Sequence, residues 1–150
     1  MKTGELCNRE VITASRDTSI AEAARLMRDH HVGSLIIVES RDGRTEPVGI
    51  LTDRDIVIEV IAEDVAVTDV TIGDVMSFAL LKVSADESVL ETTQRMRARG
   101  VRRAPVVAKD CSLVGIIAVD DILQLLSEEL LTVSRLMARE ADQEKQKRSL

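Results

Sequence analysis

Thr52 and Asp55 stand three residues apart where a run of apolar residues gives way to charge, in "GILTDRDIV" (residues 49–57). A hydroxyl and a carboxylate at that spacing have two uses. They can close a helix start, each accepting from an amide the helix leaves free, with Asp in the first turn where the dipole favours it. The same carboxylate can accept two parallel donors from a bound molecule, and the first-turn amides can face an anion. The spacing leaves both uses open, and they are compatible. The pattern returns 66 positions later as "GIIAVDDIL" (residues 115–123), with Asp121 kept and Ala118 in the place of Thr52. Of the other polar groups, adjacent Arg102 and Arg103 point to opposite faces of an extended segment, so one of them at most lines a given cleft. His30 and His31 read as a polar helix end, with a phosphate contact as the alternative. Cys7 and Cys111 match no disulfide framework and no zinc spacing and read as plain thiols. The chain carries no Ser/His/Asp or Cys/His set and no Gly-rich loop of the Walker type, so neither catalysis nor a metal site is expected.

The elements that position these groups come in two copies. At a shift of 69, "SRDTSIAEAARLMRDHHVGSLIIV" lies on "SADESVLETTQRMRARGVRRAPVV", matching Asp17 with Asp86, Ser19 with Ser88, Glu22 with Glu91 and Met27 with Met96. After a three-residue excess in "SRDGRTEP" the shift becomes 66, and Gly49, Ile50, Asp55 and Ile56 match Gly115, Ile116, Asp121 and Ile122. Chance seldom holds a register over two separate stretches; the chain is a tandem duplication. In each copy a Ser-x-x-Glu capping box (Ser19/Glu22, Ser88/Glu91) opens a helix. Ile20, Ala23, Ala24 and Met27 in one, and Val89, Thr92 and Met96 in the other, carry a core-facing stripe. Gly33 and Gly100 are expected stops. "SLIIV" and "APVVA" read as buried strands, "SRDGRTEP" and "KDCS" as turns, "VGILT" and "VGIIA" as second strands, and "DRDIVIEVI" and "DDILQLLSEEL" as second helices. One copy alone buries too little surface for comfortable stability, so two copies are expected to pack together about a pseudo-twofold axis. Residues 62–77, with a capping box of their own at Thr71 and Asp74, join them.

Composition narrows the field. The chain is 45% hydrophobic with no Trp, no Tyr and Phe78 as its one aromatic residue, so its core must be aliphatic. A net charge of −6 argues against coating nucleic acid or an anionic membrane. No apolar run approaches the roughly 20 residues of a membrane span. The polar start "MKTGELCNRE" lacks the apolar centre of a secretory signal, and a cytoplasmic location is expected.

A strand–helix–strand–strand–helix unit in tandem, with "GILTDRDIV" closing the first copy, resembles the CBS domain pair, or Bateman module. The opening "LCNREVITASRDTSIAEAARLMRDHHVGSLIIVE" is similar to small stand-alone bacterial members. The resemblance implies an α+β fold in which each repeat is a small, mostly antiparallel sheet with two helices, over residues 8–66 and 75–131, followed by a helical tail at 132–150. It further implies a regulatory module binding an adenosine-containing ligand (AMP, ADP, ATP or S-adenosylmethionine) rather than an enzyme, acting on an unidentified protein effector. In the family the residues matching Thr52 and Asp55 contact ribose and phosphate; Asp121 would do so in the second cleft, weakened by Ala118. A ribose presents two neighbouring hydroxyls, which suit one carboxylate. By the same resemblance Leu80, Leu81 and Val101 would line the base pocket opposite Thr52 and Asp55, and Thr13, Val32 and Gly33 the pocket opposite Asp121. Arg103 matches a position that meets phosphate in some relatives. For the apolar residues ordinary core is the competing reading; for Arg103 it is a solvated surface. Leu126, Leu130, Val133 and Met137 form a narrow seam at coiled-coil spacing, packing either on its own module or in the homodimer that the resemblance implies. The polar stretch past Ala141 is expected to fray.

Overall fold

The computed structural model of the chain describes residues 1–149. It divides into a unit from Met1 to Ile117, and a second from Ala118 onward that is a single long helix. The first sheet orders β1 (Thr13–Ala14), β2 (Ser34–Arg41) and β3 (Arg44–Thr52); the second orders β4 (Val83–Ser84), β5 (Arg103–Val107) and β6 (Leu113–Ala118). In each, the short first strand runs parallel to the second, and β2 and β3 pair antiparallel. Helices and two small mixed sheets make the fold α+β.

The long helix of each repeat follows its sequence signals with three departures. α1 spans Thr3–Leu6, α2 Ile20–His30, α3 Asp53–Ile56, α4 Ile72–Val75 and α5 Val89–Arg99. At α5 the box is complete: Glu91 N donates to Ser88 Oγ and the Glu91 carboxylate accepts from Ser88 N (3.2 and 2.9 Å). The Glu91 carboxylate also accepts from Ser88 Oγ (2.9 Å), and the bonds it accepts, from the Ser88 amide first and the hydroxyl second, hold it below the usual carboxylate range. At α2 Ser19 accepts from Glu22 N (3.2 Å), and the return bond of the expected box is not made. Ile20, Ala23 and Met27 are buried but Ala24 is exposed, because the stripe's other edge belongs to half-buried Leu26. Nor does Gly33 stop α2. The left-handed cap is His31 (φ 54°), which the 69-residue register matches to Gly100 (φ 64°). A non-glycine residue holds that conformation at a cost of about 1 kcal/mol.

The segment "SRDGRTEP" is not a broad turn. Only Asp42 and Gly43 turn, both with positive φ (51° and 75°), as a two-residue type I′ hairpin requires. β2 and β3 pair up to Arg41 and Arg44, so the three extra residues lengthen a hairpin. A bulge between Ile37 and Val38 shifts the register opposite Pro47–Gly49 and accommodates Pro47 within a strand.

The repeats are joined by exchange. The amides of Thr3 and Gly4 in α1 donate to the carbonyls of Glu87 and Ala85 in the second repeat (2.9 and 3.0 Å), and Asn8 pairs with Ile116. In the mirror arrangement Ile72 and Gly73 in α4 donate to Thr18 and Arg16 in the first repeat (both 2.8 Å), and Ser77 pairs with Ile50. Each contact maps onto the other at the shifts of 69 and 66, the pseudo-twofold relation expected from the alignment. The core of the first repeat (Ile20, Ala23, Leu35, Ile37, Leu51 and Val60) is accordingly completed by Ile72 and Met76 from the crossing segment. Where Ile72 meets Ala23's repeat, the mirror positions hold Thr3 and Thr92. Both are fully buried, their hydroxyls sharing a 2.8 Å hydrogen bond, and Thr92 donates onward to the Glu87 carboxylate (2.5 Å). A hydroxyl pair with a carboxylate acceptor thus replaces an aliphatic pair without leaving a buried group unsatisfied.

The second unit is α6, Val119–Arg148. Helix continues past Ala141, where fraying is the expectation from sequence; Lys145, Lys147 and Arg148 sit in the last turn and oppose the negative end of the dipole. Among the described residues no helix is long and apolar enough to cross a membrane.

Candidate functional site

β3 ends at Thr52, and the next residue begins α3. Thr52 is extended (φ −109°, ψ 160°), as a cap residue must be. Its amide donates to Asp55 Oδ2 (2.8 Å), and Asp55 N donates to Thr52 Oγ1 (3.1 Å). The capping use of the pair is therefore made. It occupies one carboxylate oxygen; Asp55 Oδ1 accepts no hydrogen bond among the described residues. After Ile56 the helix widens into a π turn, Val57–Ile61, in which Ala62 N reaches back five residues to the Val57 carbonyl (2.9 Å).

Half-buried Asp55 stands on the wall of a cavity of about 330 Å³, shared with Glu59, Val65, Val70, Asp74, Val75 and Ser77. Asp74 and Val75 belong to α4 and Ser77 follows it, so the exchanged segment supplies one side. Three carboxylates line the cavity and no basic side chain does. Asp74 is itself held in a cap, Oδ2 accepting from Thr71 N and Oγ1 (2.9 and 3.2 Å).

The other site residues expected from sequence are distributed as follows. Leu80 lines a different cavity, about 290 Å³, with Arg16, Phe78, Lys82 and side chains of the first hairpin. There the Arg16 guanidinium lies 5.4 Å from the centroid of the Phe78 ring. Leu81 is buried, and Val101 is half-buried with its amide bonded to the Met96 carbonyl (3.1 Å). Arg103 opens β5 half-buried, and its guanidinium makes no hydrogen bond or ion pair among the described residues, while Arg102 is exposed. Thr13 pairs with Ile36 in the first sheet, exposed. Val32 is half-buried, and the Gly33 carbonyl accepts from Asp53 N (3.0 Å), close enough that a Cβ on Gly33 would lie 3.2 Å from Asp53 Oδ2. Thr52 and Asp55 are thus together, with Gly33 beside the start of their helix, and Leu80 is in other company. His30 and His31 are exposed, His31 as the cap of α2. Sequence reasoning missed Glu59, Val65, Val70, Val75 and Ser77. One signal was legible: the Thr71/Asp74 cap fixes where the joining segment turns inward.

In the second unit Asp121 Oδ2 accepts from Ala118 N (2.8 Å), half of the same box; Ala118 has no hydroxyl to return the bond. Ala118→Thr supplies it and is expected to raise stability by about 1 kcal/mol, read as a higher midpoint in thermal unfolding.

This duplicated α+β unit, with helices exchanged between the copies and a capped Thr–Asp pair at the first strand-to-helix junction, defines a tandem repeat. The sequence profile described as "CBS domain" matches residues 4–62 and again 72–128, and the chain belongs to that family. Among its relatives, hypoxic response protein 1 of Mycobacterium tuberculosis is 33% identical over 127 residues, covering 85% of this chain and 86% of the relative. A crystal structure of hypoxic response protein I with two coordinated zinc ions superposes with a TM-score of 0.70 at 32% identity, covering 83% of this chain and 98% of that one. CBS domain-containing protein YhcV of Bacillus subtilis is 34% identical over 113 residues, 75% of this chain and 76% of the relative. The CBS domain pair of protein MJ0100, solved in complex with 5′-methylthioadenosine and S-adenosyl-L-methionine, superposes with a TM-score of 0.74 at 27% identity, covering 86% of this chain and 98% of that one. The described residues of this chain bring no three His, Cys, Asp or Glu together as a metal site.

Proposed function

We propose that the chain is a non-catalytic regulatory module that binds an adenosyl ligand or adenine nucleotide and acts in trans, as a homodimer, on a separate effector protein. The observation that carries this reading is the half-used carboxylate. Asp55 lines the cavity, is fixed by its cap through one oxygen, and has a second oxygen that accepts no hydrogen bond among the described residues; a carboxylate so held can receive a ribose hydroxyl with little reorganisation. The complex of the MJ0100 domain pair with methylthioadenosine and S-adenosylmethionine supports an adenosyl ligand. Glu59 and Asp74 on the same wall favour hydroxyl and amine donors and repel phosphate. Ribose therefore belongs against Asp55, and any phosphate belongs away from it, with Arg103 as its cation. Between adenosyl ligands, this wall favours a neutral or cationic one over a polyphosphate.

A second reading, a constitutive oligomerisation module with vestigial clefts, is favoured by the incomplete cap at Ala118 and by the apolar seam on α6. Native mass spectrometry of the purified protein separates the two. The ligand reading expects a bound mass of a nucleoside type, displaced by added methylthioadenosine, S-adenosylmethionine or AMP. Protein without ligand, and no thermal shift with any of the three at millimolar concentration, would leave the oligomerisation reading.

A further inference from the structure

We propose that α6 pairs antiparallel with α6 of a second copy of this chain, about a twofold axis at Glu128. The proposal rests on the homodimer part of the functional reading and is independent of the ligand.

Val119, Leu123, Leu126, Leu130, Val133 and Met137 follow steps of four, three, four, three and four, the a/d spacing of a coiled-coil seam. The five from Leu123 to Met137 are between 53% and 72% exposed. An exposed apolar stripe of that length, roughly 21 Å of helix, exceeds what a monomer usually leaves to water. The order of steps reads the same in both directions. Reversing one helix on the other about Glu128 therefore sets Leu126 against Leu130, Leu123 against Val133 and Val119 against Met137. Every a position meets a d position, and the two outer pairs each place a long side chain against a β-branched one. The seam is complementary to itself.

Charge selects the direction and the occupant. Asp120, Asp121, Glu128 and Glu129 are the charged residues of α6 before Arg135, and none is basic. A parallel pair would bring both acidic turns level with their own copies, whereas the antiparallel pair does so only for Glu128 and Glu129 at the axis. The antiparallel pair sets Asp121 level with Arg135 of the second copy and opposes the two helix dipoles favourably. An anionic membrane is a poor occupant, because the polar face beside the seam is acidic where membrane-surface helices are basic.

The test uses the full chain with exposed Cys111 changed to Ser; Cys7 is buried. In sedimentation the parent protein should be a dimer, and Leu126→Glu with Leu130→Glu should weaken dimerisation by on the order of a hundredfold or more, because two charges enter the centre of the seam. A short bis-maleimide should join Ser127→Cys to its own copy, since position 127 flanks the axis. Ser134→Cys should stay unlinked, because reversal separates the two copies by roughly 18 Å along the helix. A monomeric parent overturns both the homodimer and the seam. A double variant that remains fully dimeric overturns the seam alone. Linking at 134 as efficient as at 127 overturns the antiparallel direction.

Discussion

Gly115→Ala should destabilise the protein by about 3 kcal/mol, the upper end of what overpacking costs, and more than Gly49→Ala at the matching place in the first repeat. A Cβ at Gly115 would lie 2.5 Å from the carbonyl oxygen of Asn8 and 2.7 Å from Cys7 Sγ. That oxygen accepts from Ile116 N (2.8 Å), while Asn8 N donates to the Ile116 carbonyl (2.9 Å), so backbone on both sides is pinned. At Gly49 the nearest atom is Met76 Sδ at 2.7 Å, with Cε at 3.1 Å. A methionine thioether can turn aside where a paired carbonyl cannot, and about 1–2 kcal/mol is expected there. Urea unfolding of the two variants measures the difference. Equal losses would mean that the two crossings yield alike and that Asn8 is not held as its hydrogen bonds imply.

Asp55→Ala is expected to lower ligand affinity ten- to a hundredfold, the worth of a charge-assisted hydrogen bond of roughly 1.5–3 kcal/mol. It should also cost up to about 1–2 kcal/mol of unliganded stability, because the Thr52 amide loses its acceptor. Asp55→Asn separates the two effects. An amide oxygen still accepts from Thr52 N, so stability should stay near the parent's while affinity falls with the charge. Asp121→Ala should affect binding less, its cap already lacking the hydroxyl. Calorimetric titration is the suitable readout in a chain without tryptophan. Unaltered affinity in Asp55→Asn and Asp55→Ala, beside a cap-sized loss of stability, would reduce Asp55 to a helix cap.

The sequence carried the local half of this architecture well. Ser88/Glu91, Thr71/Asp74 and Thr52/Asp55 are caps because hydroxyl, carboxylate and spacing decide the bond within four residues. The two-part register exposed the symmetry, because the mirror contacts keep the same shifts of 69 and 66. The exchanged α1 was not legible: "TGEL" is four residues with no periodicity, and only its distant partners make it a helix. The sequence shows a turn here and not a hairpin because Glu39, Arg41, Arg44 and Glu46 are charged and Pro47 interrupts the run; ion pairs of Arg41 with Glu39 and Glu46 (3.0 and 3.3 Å) dress a strand pair that hydropathy cannot signal. The neighbours of Asp55 were missed for a related reason. Ser77 and Val75 reach it through the crossing segment, a tertiary fact, and Leu80, three residues beyond Ser77, has already turned toward Pro47 and Val48.

The exchange of α1 and α4 also gives a structure that is symmetric in space an order in time. Ser77 docks on Ile50, 27 residues behind it, so that seam can close while the second repeat is still being synthesised. Asn8 must wait for Ile116, 108 residues ahead. Two doublings of loop length add about 1.2 kcal/mol of closure entropy to the later seam, which places it after the earlier one on the folding route. Until then the first nine residues have nowhere to go. Substitutions around Met76 and Gly49 should therefore slow folding, and those around Cys7 and Gly115 should chiefly speed unfolding, so that one geometry, written twice, is the nucleus in one place and the clasp in the other.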